Sequence, residues 1–333
     1  MAPVRETELG YIEIMLDYSA DPAPGPRAGL RVLGLAGVLL ALAVLAAALY
    51  SLGRNLGGLS QSEIIAAFHA VPAQRRWLCG LLTGGSYIAL GGYDVIAVRS
   101  IGLRGVSTGR AWFAGAAATA ISNTLGFHAL TATAVRYRLF TRSGLTGSQV
   151  AGVIALSSTA LAVGFVSVLV AAMIASPSSG GWQRVAGLAL FFVLLAGIRL
   201  LGAGRQISFR GYRLKLPSTR MALAQMVLGA VELESAIGAL YVLIPENFAA
   251  SLPAFCALYI SAVLLGIISH APGGLGVFEA AMLAGSPVQG RAAILAALLL
   301  YRLLYNLSPF LLAAAALAGK EMRAALSSRA DRP

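Results

Sequence analysis

Several ionisable side chains lie inside apolar stretches that are long enough to cross a membrane. They are His270, Glu279, Glu232, Glu234 and Arg302. A charged group is costly inside lipid, so such residues usually pair with each other or mark a substrate or ion pathway. A guanidinium binds phosphate through two hydrogen bonds, and a carboxylate binds an amine. A cavity that offers both groups would suit the headgroup of a zwitterionic or cationic phospholipid.

The same residues have simpler interpretations that the sequence leaves open. Arg302 could pair with Glu232 or Glu279 only to hold helices together. Glu232 and Glu234 are two positions apart, so they face different sides of a helix. His270 could carry protons, because its charge changes near neutral pH, or it could be a hydrogen-bonded structural residue.

The segment Leu264–Leu283 is apolar at both ends and broken in the middle. Pro272 removes a backbone donor, and Gly273, Gly274 and Gly276 allow sharp or left-handed turns. In lipid, the freed backbone groups must be satisfied by protein or by a wet cavity. The segment is therefore a candidate substrate or ion site built on a broken helix. A tight interhelical turn near the surface is the alternative.

A second interrupted segment spans residues 111–135. Its polar centre contains Asn123 and Gly126, and Arg136 and Arg138 follow close behind it near the expected membrane boundary. Like the first segment, it therefore combines a break in an apolar stretch with charged residues beside that break.

The composition is that of a helical membrane protein. Of 333 residues, 58% are hydrophobic and 11% are charged, and the mean hydropathy is +0.79. Globular chains carry about 25% charged residues. These values predict an all-α polytopic membrane protein of about eight spans, with no room for a large soluble domain. The basic residues lie between spans, so the net charge of +12 indicates membrane topology and not nucleic-acid binding.

The sequence predicts no catalytic motif, cofactor or metal site. Both cysteines, Cys79 and Cys256, are in apolar stretches, where buried small residues are expected and a disulfide is not.

The distribution of Lys and Arg predicts that both termini are cytoplasmic. Residues 1–30 are expected to form a flexible tail, and residues 321–333 a basic tail. Between them, residues 31–320 form a single transmembrane domain that begins with the span Leu33–Leu52. Asp94, near the end of a span, is expected to be interfacial or paired with an arginine.

This topology has a consequence for the two interrupted segments. Residues 111–135 would start and end in the cytoplasm, and residues 253–290 would start and end outside, so each is a re-entrant or broken helical hairpin. The flanking spans match in order, which gives two halves of about 77–175 and 221–318 with opposite orientations. Inverted repeats with broken helices at their interface are an architecture of transporters.

Three motifs resemble the transmembrane domain of the lysylphosphatidylglycerol synthetase/flippase family. They are His270–Glu279 (HAPGGLGVFE), Arg136–Arg138 after Ile121–Asn123, and Tyr301–Arg302. The resemblance covers roughly residues 30–320 and implies a stand-alone form without the soluble aminoacyl-transferase domain. It implies a flippase of the bacterial cytoplasmic membrane that moves phospholipid, in that family aminoacylated phosphatidylglycerol, from the inner to the outer leaflet. Such movement reduces negative surface charge and confers resistance to cationic antimicrobial peptides.

These inferences predict a lipid translocase without a chemical step. The expected substrate contacts are Arg302, Glu279, His270, Glu232, Glu234, Asn123, Arg136 and Arg138, and the expected hairpin-shaping residues are Pro272, Gly273, Gly274, Gly276 and Gly126. The expected partners are an anionic or aminoacylated phospholipid and a separate soluble aminoacyl-transferase, with a homo-oligomer left open. Two alternatives remain: a membrane subunit of an aminoacyl-phosphatidylglycerol synthase, and a small-solute or ion transporter with the same inverted fold.

Overall fold

A computed structural model describes residues 61–103, 105–176, 180–201, 206–209, 212–215, 218–245, 248, 251–269, 271–284 and 291–330. The predicted tail 1–30, the predicted span Leu33–Leu52 and His270 lie outside the described residues.

Eleven helices make up most of the described chain. They are α1 (Gln61–Ala70), α2 (Ala73–Ile101), α3 (Thr108–Leu125), α4 (His128–Thr141), α5 (Gly147–Ala175), α6 (Gly181–Leu201), α7 (Thr219–Tyr241), α8 (Leu252–Ile268), α9 (Val277–Ala284), α10 (Arg291–Tyr301) and α11 (Ser308–Ala330). A 3-10 turn, Pro272–Gly274, lies between α8 and α9. A π-helical segment, Arg302–Leu307, joins α10 to α11.

Five helical stretches among the described residues are long and apolar enough to cross a membrane. They are α2, α5, α6, α7 and the continuous stretch Arg291–Lys320. The other three predicted spans are Leu33–Leu52 and the two interrupted segments, whose helices are separated by breaks. Helix α11 continues to Ala330, through most of the stretch that the sequence predicts as a basic tail.

Helices α2 and α7 run antiparallel in close contact. A Cβ added to Gly85 would lie 3.5 Å from Ser235 Oγ, and one added to Gly92 would lie 2.7 Å from a methyl carbon of Leu228. Residues later in α2 therefore meet residues earlier in α7. Small side chains permit such close contact between membrane helices.

Helix α5 crosses α7 at a pair of glycines. A Cβ on Gly164 would stand only 2.7 Å from the Cα of Gly229, so neither position has room for a side chain. Around this crossing, buried apolar residues of α2, α5, α7, α8 and α10 form the larger hydrophobic core. Cys79 and Cys256 are buried in that core as free thiols.

Helix α4 folds back along α3. Gly115 precedes Gly126 by eleven residues, and Arg136 follows it by ten. Both nevertheless meet Asp94, whose Cγ would be 2.9 Å from a Cβ on Gly115 and whose Oδ2 is 2.9 Å from Arg136 Nε. A straight helix would separate the two residues by about 30 Å. The break between α3 and α4 is therefore a hairpin turn, with Gly126 and Phe127 at φ values of +80° and +45°.

Helix α9 folds back onto α8 in the same way. The ring centroids of Tyr259 and Phe278 are 5.7 Å apart, whereas a straight helix would place these residues about 28 Å apart. At the turn, Gly273 and Gly274 have φ values of +60° and +64°, a region that glycine adopts readily. The Cα of Gly274 also lies 3.4 Å from where a Cβ on Gly266 would stand. The break thus occurs at the glycines from which the sequence predicts it.

The all-α prediction misses one small β element. Strands β1 (Gln206–Phe209) and β2 (Tyr212–Lys215) form an antiparallel hairpin between α6 and α7. The arginines of this stretch indicate a basic loop, but Ile207 and Phe209 also alternate with polar residues, which is the period of a strand.

Pro309 explains the π-helical segment. Proline has no N–H, so it cannot donate to the carbonyl of Tyr305 four residues earlier. That carbonyl instead accepts a hydrogen bond of 3.2 Å from the Tyr87 hydroxyl. The carbonyl of Leu303 accepts the π-helical bond from the Ser308 N–H and a second bond of 2.8 Å from Ser308 Oγ. Freed carbonyls inside a membrane need such partners, and π-bulges occur frequently at functional sites.

Candidate functional site

The two breaks touch each other. A Cβ on Gly273 would stand 3.1 Å from the carbonyl oxygens of both Asn123 and Thr124. Asn123 and Thr124 belong to the last turn of α3, and Gly273 is the middle residue of the 3-10 turn. Arg302 and Asn306 of the π-helical segment bind the same backbone. We refer to these five residues as the break junction.

Arg302 closes the break junction through a buried ion pair. Its Nε donates to Glu279 Oε1 at 2.7 Å, and Nη1 donates to the Gly273 carbonyl at 2.6 Å. Nη2 is 3.4 Å from the Gly274 carbonyl. Glu279 also accepts a hydrogen bond of 2.8 Å from the Gly276 N–H. The two side chains are only 9% and 2% exposed, so the backbone of the second break encloses the pair.

Asn306 joins the same junction one turn further along. Its Nδ2 donates to the Asn123 carbonyl at 3.2 Å, and its own carbonyl accepts from Thr124 Oγ1 at 3.3 Å. Because a carbonyl can only accept, the amide nitrogen must face Asn123. The Oδ1 of Asn306 is then left buried without a hydrogen-bond partner among the described residues. The break junction therefore has an unused acceptor close in sequence to a buried cation.

Glu232 on α7 is surrounded by hydroxyl groups. It is 5% exposed. Ser86 Oγ donates to Oε1 at 3.2 Å, and the hydroxyls of Tyr305 and Tyr93 donate at 3.4 Å to Oε1 and Oε2 respectively. The hydroxyls of Ser86 and Tyr305 are 2.8 Å apart. We refer to Ser86, Tyr93 and Tyr305 as the hydroxyl cage; within the described chain, no basic side chain forms an ion pair with Glu232.

A second buried ion pair ties the first hairpin to the long helices. Arg136 Nε of α4 donates to both carboxylate oxygens of Asp94 on α2, at 2.9 and 3.1 Å. Ser157 Oγ of α5 donates to the same carboxylate at 2.6 Å. Asp94 is 0% exposed. Of the two expectations for Asp94, pairing with an arginine is the one that the structure shows.

Aromatic rings fill the space between the hydroxyl cage and the second break. Tyr301 stacks on Tyr305 at 4.9 Å and on Phe278 at 6.3 Å between ring centroids. Its hydroxyl lies 2.7 Å from that of Tyr259. The Arg302 guanidinium carbon lies 5.2 Å from the Phe278 centroid, a cation–π distance. These rings are buried, and a low-dielectric surrounding strengthens the charge interactions beside them.

The structure separates the buried predicted substrate contacts into three places. Arg302 and Glu279 meet at the break junction with Asn123, which contributes its backbone carbonyl and not its side chain. Glu232 belongs to the hydroxyl cage and is not the partner of Arg302. Arg136 lies with Asp94 at the base of the first hairpin.

Two other predicted contacts do not reach the break junction. Glu234 and Arg138 are exposed on the outer surfaces of α7 and α4. Glu232 and Glu234 therefore face different sides of α7, as their spacing predicts. The prediction for His270 falls outside the described residues.

Sequence reasoning overlooks the neutral polar residues of the site. Tyr305 and Asn306 follow Arg302 by three and four residues, a spacing that shares a helix face and could have drawn attention to them. Ser86 and Tyr93 are seven residues apart on α2, which also places them on one face. Serine and tyrosine are common in membrane helices, so neither type is a signal by itself.

The comparisons with known proteins place the chain in a family. It is 32% identical over 257 residues to slr0712, an uncharacterized protein of Synechocystis sp., and the alignment covers 74% of this chain and 80% of slr0712. The chain belongs to the family of slr0712. No protein-family model matches it.

A second relative indicates where such proteins reside. The chain is 32% identical over 194 residues to the inner membrane protein YbhN of Escherichia coli (strain K12), which covers 54% of this chain and 59% of YbhN. This relationship and the five apolar helical stretches of the described residues identify the chain as a membrane protein.

Proposed function

We propose that the protein is a phospholipid translocase of the bacterial cytoplasmic membrane and that the lipid headgroup crosses at the break junction. The observation that carries this proposal is the meeting of two helix breaks around the buried Arg302–Glu279 pair. Broken helices that face each other inside a membrane can bind a polar group while their own backbone stays satisfied. The protein would cross the membrane several times with both termini in the cytoplasm.

The Arg302–Glu279 pair presents the charges that a zwitterionic headgroup requires. A lipid phosphate would replace Glu279 at Arg302, and a lipid amine would replace Arg302 at Glu279. This exchange of partners keeps each buried charge paired. An unpaired buried charge would cost about 3–5 kcal/mol. The free Oδ1 of Asn306 supplies an acceptor for an ammonium or hydroxyl group.

The resemblance to the lysylphosphatidylglycerol synthetase/flippase family favours one lipid class. Aminoacylated phosphatidylglycerol carries both a phosphate and an amine, which match the two members of the pair. A separate soluble aminoacyl-transferase would supply that lipid, and this chain would move it from the inner to the outer leaflet.

The order of the helices supports an inverted repeat, whose two halves would move relative to each other during translocation. In each half, a long helix is followed by a broken hairpin and then by another long helix: α2, α3–α4 and α5, then α7, α8–α9 and α10–α11. The antiparallel contact of α2 with α7, the first long helix of each half, is what opposite orientation requires. Movement of one hairpin against the other would open the break junction to each leaflet in turn.

A leaflet-resolved assay tests the proposal. The purified protein is reconstituted in vesicles that contain trace phosphatidylglycerol, lysyl-phosphatidylglycerol or phosphatidylethanolamine, each labelled on an acyl chain. A membrane-impermeant reductant then bleaches the outer leaflet. We expect the protected label to disappear faster than in protein-free vesicles, and faster for the two lipids that carry both a phosphate and an amine than for phosphatidylglycerol.

Other results would replace the proposal. Solute uptake or electrical current without lipid movement would indicate a small-solute or ion transporter. Loss of aminoacylated lipid from cells that lack the protein would indicate a subunit of the synthase. Equal bleaching with and without protein, for every lipid, would contradict translocation.

A further inference from the structure

Glu232 is a buried acid that the proposed headgroup site does not use. We propose that Glu232 is a proton-binding site, and that its protonation is coupled to opening of the break junction through Tyr305. The proton-binding half of this inference stands on the geometry of the hydroxyl cage. The coupling half rests on the proposed lipid translocation.

The hydroxyl cage suits both protonation states of a carboxyl group. A carboxylate only accepts hydrogen bonds, whereas a carboxylic acid must also donate one. Arginine and lysine only donate, so a cation would hold Glu232 in the charged form. Each hydroxyl can donate or accept: when Glu232 gains a proton, it can donate to Ser86 Oγ, and Ser86 can turn its own proton toward Tyr305 at 2.8 Å. No buried donor or acceptor is lost in either state.

The ionisable groups around Glu232 leave its charge without compensation. The ionisable groups near it on the packed helices are the phenols of Tyr87 and Tyr93 on α2, Tyr259 on α8 and Tyr305 on the π-helical segment, and phenols are uncharged at neutral pH.

The nearby charged groups are already engaged or face away. Arg302 is neutralised by Glu279 at 2.7 Å, and Asp94 by Arg136 at 2.9 Å. On its own helix, Glu234 is exposed on another face. The ionised form of Glu232 is thus a buried charge held by neutral dipoles alone, and uptake of a proton removes that charge.

Tyr305 links this site to the break junction. Its hydroxyl binds Glu232 and Ser86. Its backbone belongs to the π-helical segment that also contains Arg302 and Asn306 and that leads into α11. Pro309 cannot give this carbonyl its usual α-helical N–H donor, and the Tyr87 hydroxyl donates to it at 3.2 Å. A change in the hydrogen bonds of Glu232 therefore acts on a segment whose α-helical hydrogen bonding is already interrupted. The same segment carries Arg302 and Asn306, the two side chains that bind the backbone of the breaks.

Infrared spectroscopy of the reconstituted protein tests proton binding without any transport. Difference spectra taken over a pH series should show the C=O stretch of a protonated carboxylic acid that disappears as pH rises. We expect Glu232→Gln to lose one component of this band, and Glu234→Gln, the matched variant two residues away, to retain that component. Identical bands in Glu232→Gln and the wild-type protein, or no titrating band in the wild-type protein, would overturn the proposal.

A second variant keeps the test decisive if Glu232→Gln does not fold. Tyr93→Phe removes the donor of Glu232 Oε2 and leaves the carboxyl group in place. We expect it to displace the titrating band in frequency, because the C=O stretch depends on the hydrogen bonds that the group makes. An unchanged band in folded Tyr93→Phe would contradict the assignment to Glu232.

The coupling is tested by a pH gradient across the vesicle membrane. We expect the gradient to change the rate of lipid exchange severalfold in the wild-type protein, and the ratio of rates with and without it to fall to one in Glu232→Gln. An unchanged ratio in Glu232→Gln would overturn the coupling. If no lipid moves at all, the proposed function fails and with it the coupling, while the infrared result still decides whether Glu232 binds a proton.

Discussion

The two buried ion pairs hold the two hairpins in different ways. Asp94 on α2 and Arg136 on α4 join separate helices. Ser157 on a third helix, α5, donates a hydrogen bond of 2.6 Å to the Asp94 carboxylate. Arg302 and Glu279 instead bind the backbone of the break itself, at the Gly273 carbonyl and the Gly276 N–H. The first pair secures the base of a hairpin, and the second secures the tip of one.

This difference indicates which pair could open in the proposed translocation. The partners of Asp94 lie on long or packed helices that would have to separate for the pair to open. The partners of Arg302 and Glu279 include a turn of glycines with positive φ, which can change conformation at low cost. We infer that the Asp94–Arg136 pair is scaffold, and that in the proposed translocation the Arg302–Glu279 pair would exchange partners with a headgroup.

The largest expected effect on stability comes from unpairing the scaffold acid. Arg136→Gln leaves Asp94, which is 0% exposed, without a cation. We expect a loss of about 3–5 kcal/mol in the free energy of unfolding, measured by chemical denaturation in detergent. Arg138→Gln, two residues along the same helix but exposed, should change stability by less than about 0.5 kcal/mol. Equal losses in both variants would remove the distinction between the two arginines.

A smaller effect is expected from alanine at the tip of the second hairpin. Gly273→Ala combines a φ of +60° with a Cβ only 3.1 Å from two carbonyl oxygens of α3. We expect it to destabilise by about 3 kcal/mol. Gly276→Ala has a φ of +81° but nothing within 4 Å of its Cβ, so only the backbone term of about 1 kcal/mol remains.

The difference between these glycine variants measures the contact between the two breaks. Thermal unfolding of both proteins in the same detergent provides the comparison. If Gly276→Ala proves as costly as Gly273→Ala, the tips do not touch as described.

The smallest expected effect concerns the freed carbonyl of Tyr305. Tyr87→Phe removes the hydroxyl that donates to it at 3.2 Å, at an expected cost of about 1 kcal/mol. Pro309→Ala supplies an N–H that can bond the same carbonyl, so Tyr87→Phe should cost less in that background. A double-mutant cycle of unfolding free energies measures the coupling; strictly additive effects would show that Pro309 is not the cause of the π-helical segment.

The sequence locates the breaks well because their cause is local. Pro272 and the glycines after it interrupt a helix wherever they occur, and Gly126 does the same after α3. The sequence does not identify the partners of the buried charges, since these depend on how helices rotate and cross. Asp94 and Arg136 are 42 residues apart and are joined only by the return of α4 along α3.

The environment of Glu232 was also beyond sequence reasoning. Acid–base pairing rules leave Glu232 and Glu279 as alternative partners of Arg302, and the structure pairs Arg302 with Glu279 while Glu232 faces hydroxyls of α2 and of the π-helical segment. Hydroxyl-bearing residues are frequent and carry no charge pattern, so no spacing rule selects the three that form the cage.

The most direct test of the difference between the two pairs uses lysine in place of each arginine. Arg302→Lys and Arg136→Lys both keep the buried positive charge but lose the planar fork that binds phosphate through two hydrogen bonds. We measure the rate of lipid exchange per folded protein in vesicles. We predict a loss of at least about tenfold for Arg302→Lys, equivalent to one hydrogen bond to a charged group, and a rate close to wild type for Arg136→Lys. Equal rates for the two variants, or a larger loss for Arg136→Lys, would contradict a headgroup site at Arg302.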